Sequence, residues 1–507
     1  MPDQHDEPSL TRRVAIGATW LVAGRWSIRL ISMISTLALA RLLTPEDFGI
    51  VALAGLTVSI LDALTDFRFG QALVRYQDAT DDEYNTAWTF NLIRGLVVAA
   101  VLVAGAWLFA GIFSEPRLVQ VFQLLALVAI FDGLQNIGTV QFTKDIRFDR
   151  EFRLGIGSKL GAFVVAVTLA FLWRSYWALI AGMVAGSAAK LALSYGMHPY
   201  RPRLCVSAWR RLFAFSAWLM AGQVITLINQ RLEQFLIGGF LSTALVGVYN
   251  LAYELAAIAT GELVASAAWA LFPGFSQIAD DKVRLRQAYE KSVQFVVAIG
   301  TPLGIGLTLV ASEFIIIMLG PKWIDAAMPL RVLSVMFSIS VPAMASTSLL
   351  YSMGRTRDVF IIDFTQFIAR LPVTALVVWQ FGIAGAAWGR LVFGIWWAIQ
   401  YMWAIRKALN ISFQRILFVT WRSYAATATM TIAVLLADIV LRAPDVIHVL
   451  QAPLTTLWLA LIVKAVVGAT TYILSHLLFW QIQGRPDGPE RIIIIAIKPR
   501  LRFFGCA

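Results

Sequence analysis

Arg25 and Arg29 stand four residues apart inside the first long apolar stretch of the chain, so in a helix their guanidinium groups share one face. Ser32 and Thr36 extend that face. A guanidinium presents a planar fork of donors that bonds two oxygens of one phosphate or carboxylate, so the pair reads as a contact for an anionic group. Arg94 and Arg231 lie inside later apolar stretches and join the set. Polar stripes at helical spacing match them: Gly55, Ser59, Asp62 and Asp66 in the second stretch; Gln223, Thr226, Gln230 and Glu233 in the seventh. The eighth carries Glu254 and Glu262, and the eleventh Asp363, Gln366 and Arg370. Asp62, Asp66, Glu233, Glu254, Asp363 and Arg370 are the candidates for ion coupling, or for charge pairing that glues helices. Arg29 with Asp62 or Asp66, and Arg370 with Asp363, are the pairings the spacing suggests.

Other chemistries find little support. There is no P-loop phosphate motif, no His/Cys/Asp cluster with metal spacing and no nucleophile motif, and His5, His198, His448 and His476 are scattered. No catalytic residue, cofactor or metal is expected, and nothing calls for nucleic acid. A membrane-embedded polymerase or ligase needs carboxylates and long polar loops; the one such cluster, Asp78, Asp81, Asp82 and Glu83, reads as a solvated loop. Cys205 and Cys506 sit in basic segments and imply no disulfide.

The elements that must position these groups follow from composition. A chain of 507 residues that is 59% hydrophobic and 14% charged has more apolar surface than one soluble core can hide. Apolar windows of roughly 20 residues, the length that crosses a bilayer as a helix, predict fourteen spans: 14–40, 48–66, 86–112, 119–142, 154–173, 177–196, 212–238, 246–271, 293–318, 328–352, 359–380, 383–404, 419–441 and 454–480. With the N-terminus inside, 27 Lys and Arg fall in cytoplasmic segments and 5 outside, so both termini are expected in the cytoplasm. Ten basic residues remain within spans; of these Lys190, Arg331 and Lys464 lie near span ends and are expected to snorkel to the interface.

A repeat appears at an offset of 198 residues: Arg12-Arg13 matches Arg210-Arg211, Trp20-Leu21 matches Trp218-Leu219, Ala23-Gly24 matches Ala221-Gly222, Gly49 matches Gly247 and Leu53-Ala54 matches Leu251-Ala252. Each hit falls at the same point of a helix pair six spans away, which gives a parallel repeat. The expected fold is an all-α polytopic membrane protein with two pseudo-symmetric six-helix lobes, 1–205 and 206–410. Two further helices (411–480) and a cytoplasmic tail (481–507) follow, the tail's Ile492–Ile497 run being either an interfacial segment held by its basic neighbours or disordered. A hydrated cavity between the lobes would satisfy the polar stripes of both.

The segment from Leu39 to Gly49, with Thr44-Pro45-Glu46-Asp47-Phe48-Gly49 at its core, resembles the signature turn of the polysaccharide transporter family. That family comprises the oligosaccharide-lipid flippases of the multidrug/oligosaccharidyl-lipid/polysaccharide superfamily. Gln71 to Val74, Arg286 to Tyr289, Pro302 and Gly320 to Trp323 are also similar to it, and the likeness covers about residues 10–405. The resemblance implies a flippase that carries an undecaprenyl-diphosphate-linked oligosaccharide to the outer leaflet of a bacterial inner membrane by alternating access. Its product would serve exopolysaccharide, capsule or O-antigen assembly, with the pathway's polymerase and co-polymerase as candidate partners. Related drug exporters have acidic cavities, which the arginines of the first span oppose; the Thr44–Gly49 turn opposes the lipid II branch. An ion-coupled multidrug exporter and a polysaccharide polymerase or ligase are the remaining alternatives.

Overall fold

Thr44 ends one helix and starts the next. Its hydroxyl accepts from the Asp47 N–H, and the Asp47 carboxylate accepts from the Thr44 N–H at 2.9 Å, a capping box with Pro45 at the first helical position. The turn joins α1 (Leu10–Leu42) to α2 (Pro45–Thr65) in a computed structural model. The structure describes residues 10–76, 78–145, 147–262, 275–276, 278, 280–441, 453–486, 488 and 490, leaving undescribed the side chains of 10–23, 25, 212–223 and 262. Expectations for the 492–497 run and Cys506 lie outside these residues.

The first unit continues with α3 (Phe69–Arg75), α4 (Asp81–Ile112), α5 (Leu118–Leu134), α6 (Val140–Lys144), α7 (Phe148–Trp173), α8 (Trp177–Met197) and α9 (Trp209–Phe240). The second has α10 (Thr243–Ala256, which begins in the first unit), α11 (Lys282–Leu309), α12 (Ala311–Met318), α13 (Ala327–Ser352), α14 (Thr356–Leu409), α15 (Phe413–Leu441) and α16 (Leu454–Ile482). The units are Met1–Gly247 and Val248–Ala507. In the first, α9 packs on α2, α3 and α4. No strand occurs among the described residues. Among the described residues ten helices are long and apolar enough to span a membrane, and one bent pair would make eleven. Large apolar side chains point outward along them, among them Trp107, Phe171, Trp379 and Val440, as a lipid-facing surface requires. The protein is an all-α, multi-pass membrane protein.

Four sequence expectations need correction. Residues 119–142 are not one straight helix: α5 stops at Leu134, a 3-10 turn follows, and α6 leaves at 60°. Asn136, 1% exposed, causes the break, accepting from the Gly138 N–H and donating to the carbonyls of His198 and Tyr200. Residues 293–318 divide at Val310 into α11 and α12. The Asp78–Glu83 cluster is no freely solvated loop: Thr80 and Glu83 form a second capping box, and Arg211 joins Asp78 and the buried Glu83, each at 2.9 Å. Lys464 does not snorkel, as described below. The expected spans 359–380 and 383–404 are the two arms of α14, which folds back at Gly382 (φ 60°, ψ −140°). Gln366 donating to Gln400 at 2.8 Å, 34 residues on, requires that hairpin.

Candidate functional site

Two glycines set the depth of the first site. A Cβ on Gly95 of α4 would stand 3.0 Å from the Gly133 Cα of α5, and one on Gly133 would stand 2.8 Å from the Asn91 carbonyl oxygen. Only glycines allow this approach, and it carries the neighbouring residues Arg94 and Asp132 to the same level. The Arg94 guanidinium lies 3.8 Å from Asp62 and 4.0 Å from Asp66 at the end of α2. Asp66 also accepts from the Arg68 N–H at 2.9 Å and lies 3.4 Å from its Nε. Asp132, which the sequence reading missed, accepts from Ser187 of α8 at 2.6 Å and from Gln135 at 2.7 Å, and its charge reaches Asp62. The structure therefore brings together Arg94, Asp62 and Asp66, with Arg68 and Asp132 added. Arg94 was read as a contact for an anion; the structure shows its guanidinium shared between two carboxylates. Three acids and two arginines in a membrane-length bundle form a charge network that can pair internally, bind a cation or open one arginine to an anion.

The remaining residues are spread over both units. The side chains of Arg25, Gln223 and Glu262 lie outside the described residues, while Arg29 is exposed on α1. On α9, Arg231 donates to Gln234 at 3.2 Å, and Glu233 is buried at 1% exposure. In the second unit Glu254 is half-buried on α10, Arg370 is 5% exposed on α14, and Asp363 of α14 accepts a hydrogen bond from Trp397 on the opposite arm.

A second cluster went unrecognised. Lys464 of α16, 3% exposed, lies 2.5 Å from Glu313 of α12 and 2.5 Å from Asp438 of α15. Ile316, Ile317 and Leu457 form an apolar cluster on the same two helices, α12 and α16. Lys464 is itself buried, so pairing with the two carboxylates replaces the expected snorkelling. Arg331 likewise turns inward to Ser312 at 2.7 Å, whereas Lys190 is exposed.

The signature turn has a physical role. Glu46 pairs with Arg117 of the α4–α5 loop, the Asp47 carboxylate accepts from the Tyr176 N–H of the α7–α8 loop at 3.0 Å, and a Cβ on Gly49 would collide with the Thr243 carbonyl at the start of α10. Reciprocally, a Cβ on Gly247 would meet Pro45 and Gly49, so the repeat-related glycines pack on each other. Arg117 also holds Glu115 at 2.7 Å, which keeps that carboxyl below its ordinary range despite partial burial. The turn thus ties three neighbouring loops.

Comparison with known proteins completes the site's context. Residues 38–328 match the family described as polysaccharide biosynthesis protein. Lipopolysaccharide biosynthesis protein WzxC of Escherichia coli (strain K12) is 25% identical over 82% of this chain and 85% of its own length. Succinoglycan biosynthesis transport protein ExoT of Rhizobium meliloti (strain 1021) is 26% identical over 84% of this chain and 86% of its own. Among solved structures, lipid II flippase MurJ in an inward closed conformation superposes with a TM-score of 0.73 at 10% identity, covering 92% of this chain and 99% of that one. An inward-facing multidrug resistance MATE family transporter of the MOP superfamily gives 0.56 at 15% identity, over 76% and 98%. These two likenesses establish the fold.

Proposed function

Because the chain belongs to the polysaccharide biosynthesis protein family, we propose that it is a flippase for an undecaprenyl-diphosphate-linked oligosaccharide. It moves this lipid from the inner to the outer leaflet of a bacterial inner membrane by alternating access, supplying exopolysaccharide, capsule or O-antigen assembly. In this reading the chain has fourteen spans and cytoplasmic termini, and the pathway's polymerase and co-polymerase are partners downstream. The names of the relatives, which attach to polysaccharide synthesis and in one case to its transport, support it.

The observation that carries the reading is Arg29, exposed on a helix of membrane length and four residues from Arg25. A central arginine in a span costs roughly 2.5–3.5 kcal/mol on insertion scales, so it marks a functional counterpart by default. A diphosphate supplies two anionic groups at the spacing two guanidinium forks accept. Arg94 and Arg231 are the further headgroup contacts of this proposal. Asp62, Asp66, Glu233, Glu254, Asp363 and Arg370 serve ion coupling or charge pairing. In a deletion strain, Arg25→Gln with Arg29→Gln is expected to cut polymer export at least about tenfold, one lost charge-assisted contact being worth roughly 1.5–3 kcal/mol, with protein level unchanged. Full export from that variant removes the pair from the site. Drug sensitivity of the deletion strain with normal polysaccharide would favour the exporter alternative.

A further inference from the structure

The second unit carries an open-mouthed cavity of about 420 Å³ lined by none of the candidate substrate residues. Its walls come from the early turns of α11 and α15 and from the stretch after α16. Positive-inside counting puts these ends at the cytoplasmic face. Glu290 on this wall is shared by two guanidinium groups, Arg415 at 3.0 Å and Arg286 at 3.2 Å. Arg422, 4% exposed, lies 2.8 Å from Glu490 through Nη1, and His476 approaches the same Glu490 oxygen at 3.0 Å. Lys291 is exposed and has no hydrogen-bond or ion-pair partner among the described residues, and the buried Gln294 Oε1 accepts no hydrogen bond. Four basic groups thus face two carboxylates, an excess of two positive charges, with an amide acceptor beside them. Next to the opening, α15 exposes Phe418 (58%) and Leu417 (43%).

We propose that this cavity binds the head group of an anionic phospholipid. The phosphate sits on Lys291, Arg415 and Arg422, a head-group hydroxyl donates to Gln294, and the acyl chains run along Phe418 and Leu417. Basic pockets between helices at the cytoplasmic side are suited to such lipids, because phosphate adds charge-assisted bonds there while the chains stay in hydrocarbon. The site is separate from the proposed substrate route and does not depend on it.

The test uses the full chain in neutral detergent, titrated with phosphatidylglycerol, phosphatidylcholine or inorganic phosphate and followed by native mass spectrometry and thermal melting. Phosphatidylglycerol is expected to be retained and to raise the melting temperature, phosphatidylcholine and inorganic phosphate to do neither. Lys291→Gln and Arg415→Gln, both at exposed positions, should each weaken phosphatidylglycerol retention about fivefold. Equal retention of the two lipids, or variants that retain phosphatidylglycerol as well as the parent, would overturn the proposal. Stabilisation by inorganic phosphate alone would overturn the lipid as ligand and leave a soluble phosphate in its place.

Discussion

Arg94 and Lys464 were both counted as basic residues within spans, and the structure gives them different surroundings. Arg94 lies at the edge of ion-pair distance from two partly exposed carboxylates, an arrangement that can open to another partner. Lys464 is closed in with Glu313 and Asp438. Lys464→Met should leave the buried Glu313 carboxylate without a cation, a loss of about 3–5 kcal/mol. Adding Glu313→Gln and Asp438→Asn should restore much of it. Melting temperatures in detergent check both; an unchanged value for the single variant would mean water reaches the triad. Helical spacing in the sequence singled out Arg25, Arg29 and the Asp62–Asp66 stripe as candidates, because partners on one face are four residues apart. It could not reveal Lys464 with Glu313, which are 151 residues apart and meet only through packing of α12 on α16. Asp132 escaped for the same reason, its level being set by the Gly95–Gly133 contact.

Helices and their turns were the most legible elements, since a Thr-x-x-Asp box and a run of apolar residues specify a start and a length locally. The break at Asn136 was not, because that side chain's partners, the carbonyls of His198 and Tyr200, lie beyond the next three helices. The Gly49–Gly247 approach predicts that Gly49→Ala forces α2 away from the start of α10, for about 1–3 kcal/mol. Gly55→Ala, with nothing within 4 Å, should be neutral or slightly stabilising. Thermal melts of the two variants side by side test this. His198, just past α8, accepts from the Tyr200 N–H through Nδ1 and meets Gln141 through Nε2 at 2.9 Å, so it is held neutral. Burial, with Arg150 and Arg201 nearby, lowers its pKa from 6.5. A depressed base stabilises the fold above its unfolded pKa and loses that contribution as pH falls below about 6.5. Stability should therefore drop on acidification below that pH, and His198→Gln should flatten the drop; a drop that survives the substitution belongs to another group.

At the scale of the whole molecule, apolar windows of spanning length were enough for the all-α membrane class, and the family likeness rested chiefly on one turn, with four shorter segments beside it. That turn now has a mechanical reading, as the tie among the loops of the first unit. Gly49 and Gly247, which the 198-residue offset pairs in sequence, pack on each other, and by packing α9 belongs to the first unit. The most direct measurement of the proposed activity is transbilayer movement of a labelled undecaprenyl-diphosphate oligosaccharide in vesicles reconstituted with the purified protein. The sugar's arrival at the far leaflet can be read by its exposure to a membrane-impermeant lectin. Movement well above that of protein-free vesicles, falling to their level with Arg25→Gln and Arg29→Gln, is the predicted result. Movement no faster than in protein-free vesicles would contradict the account.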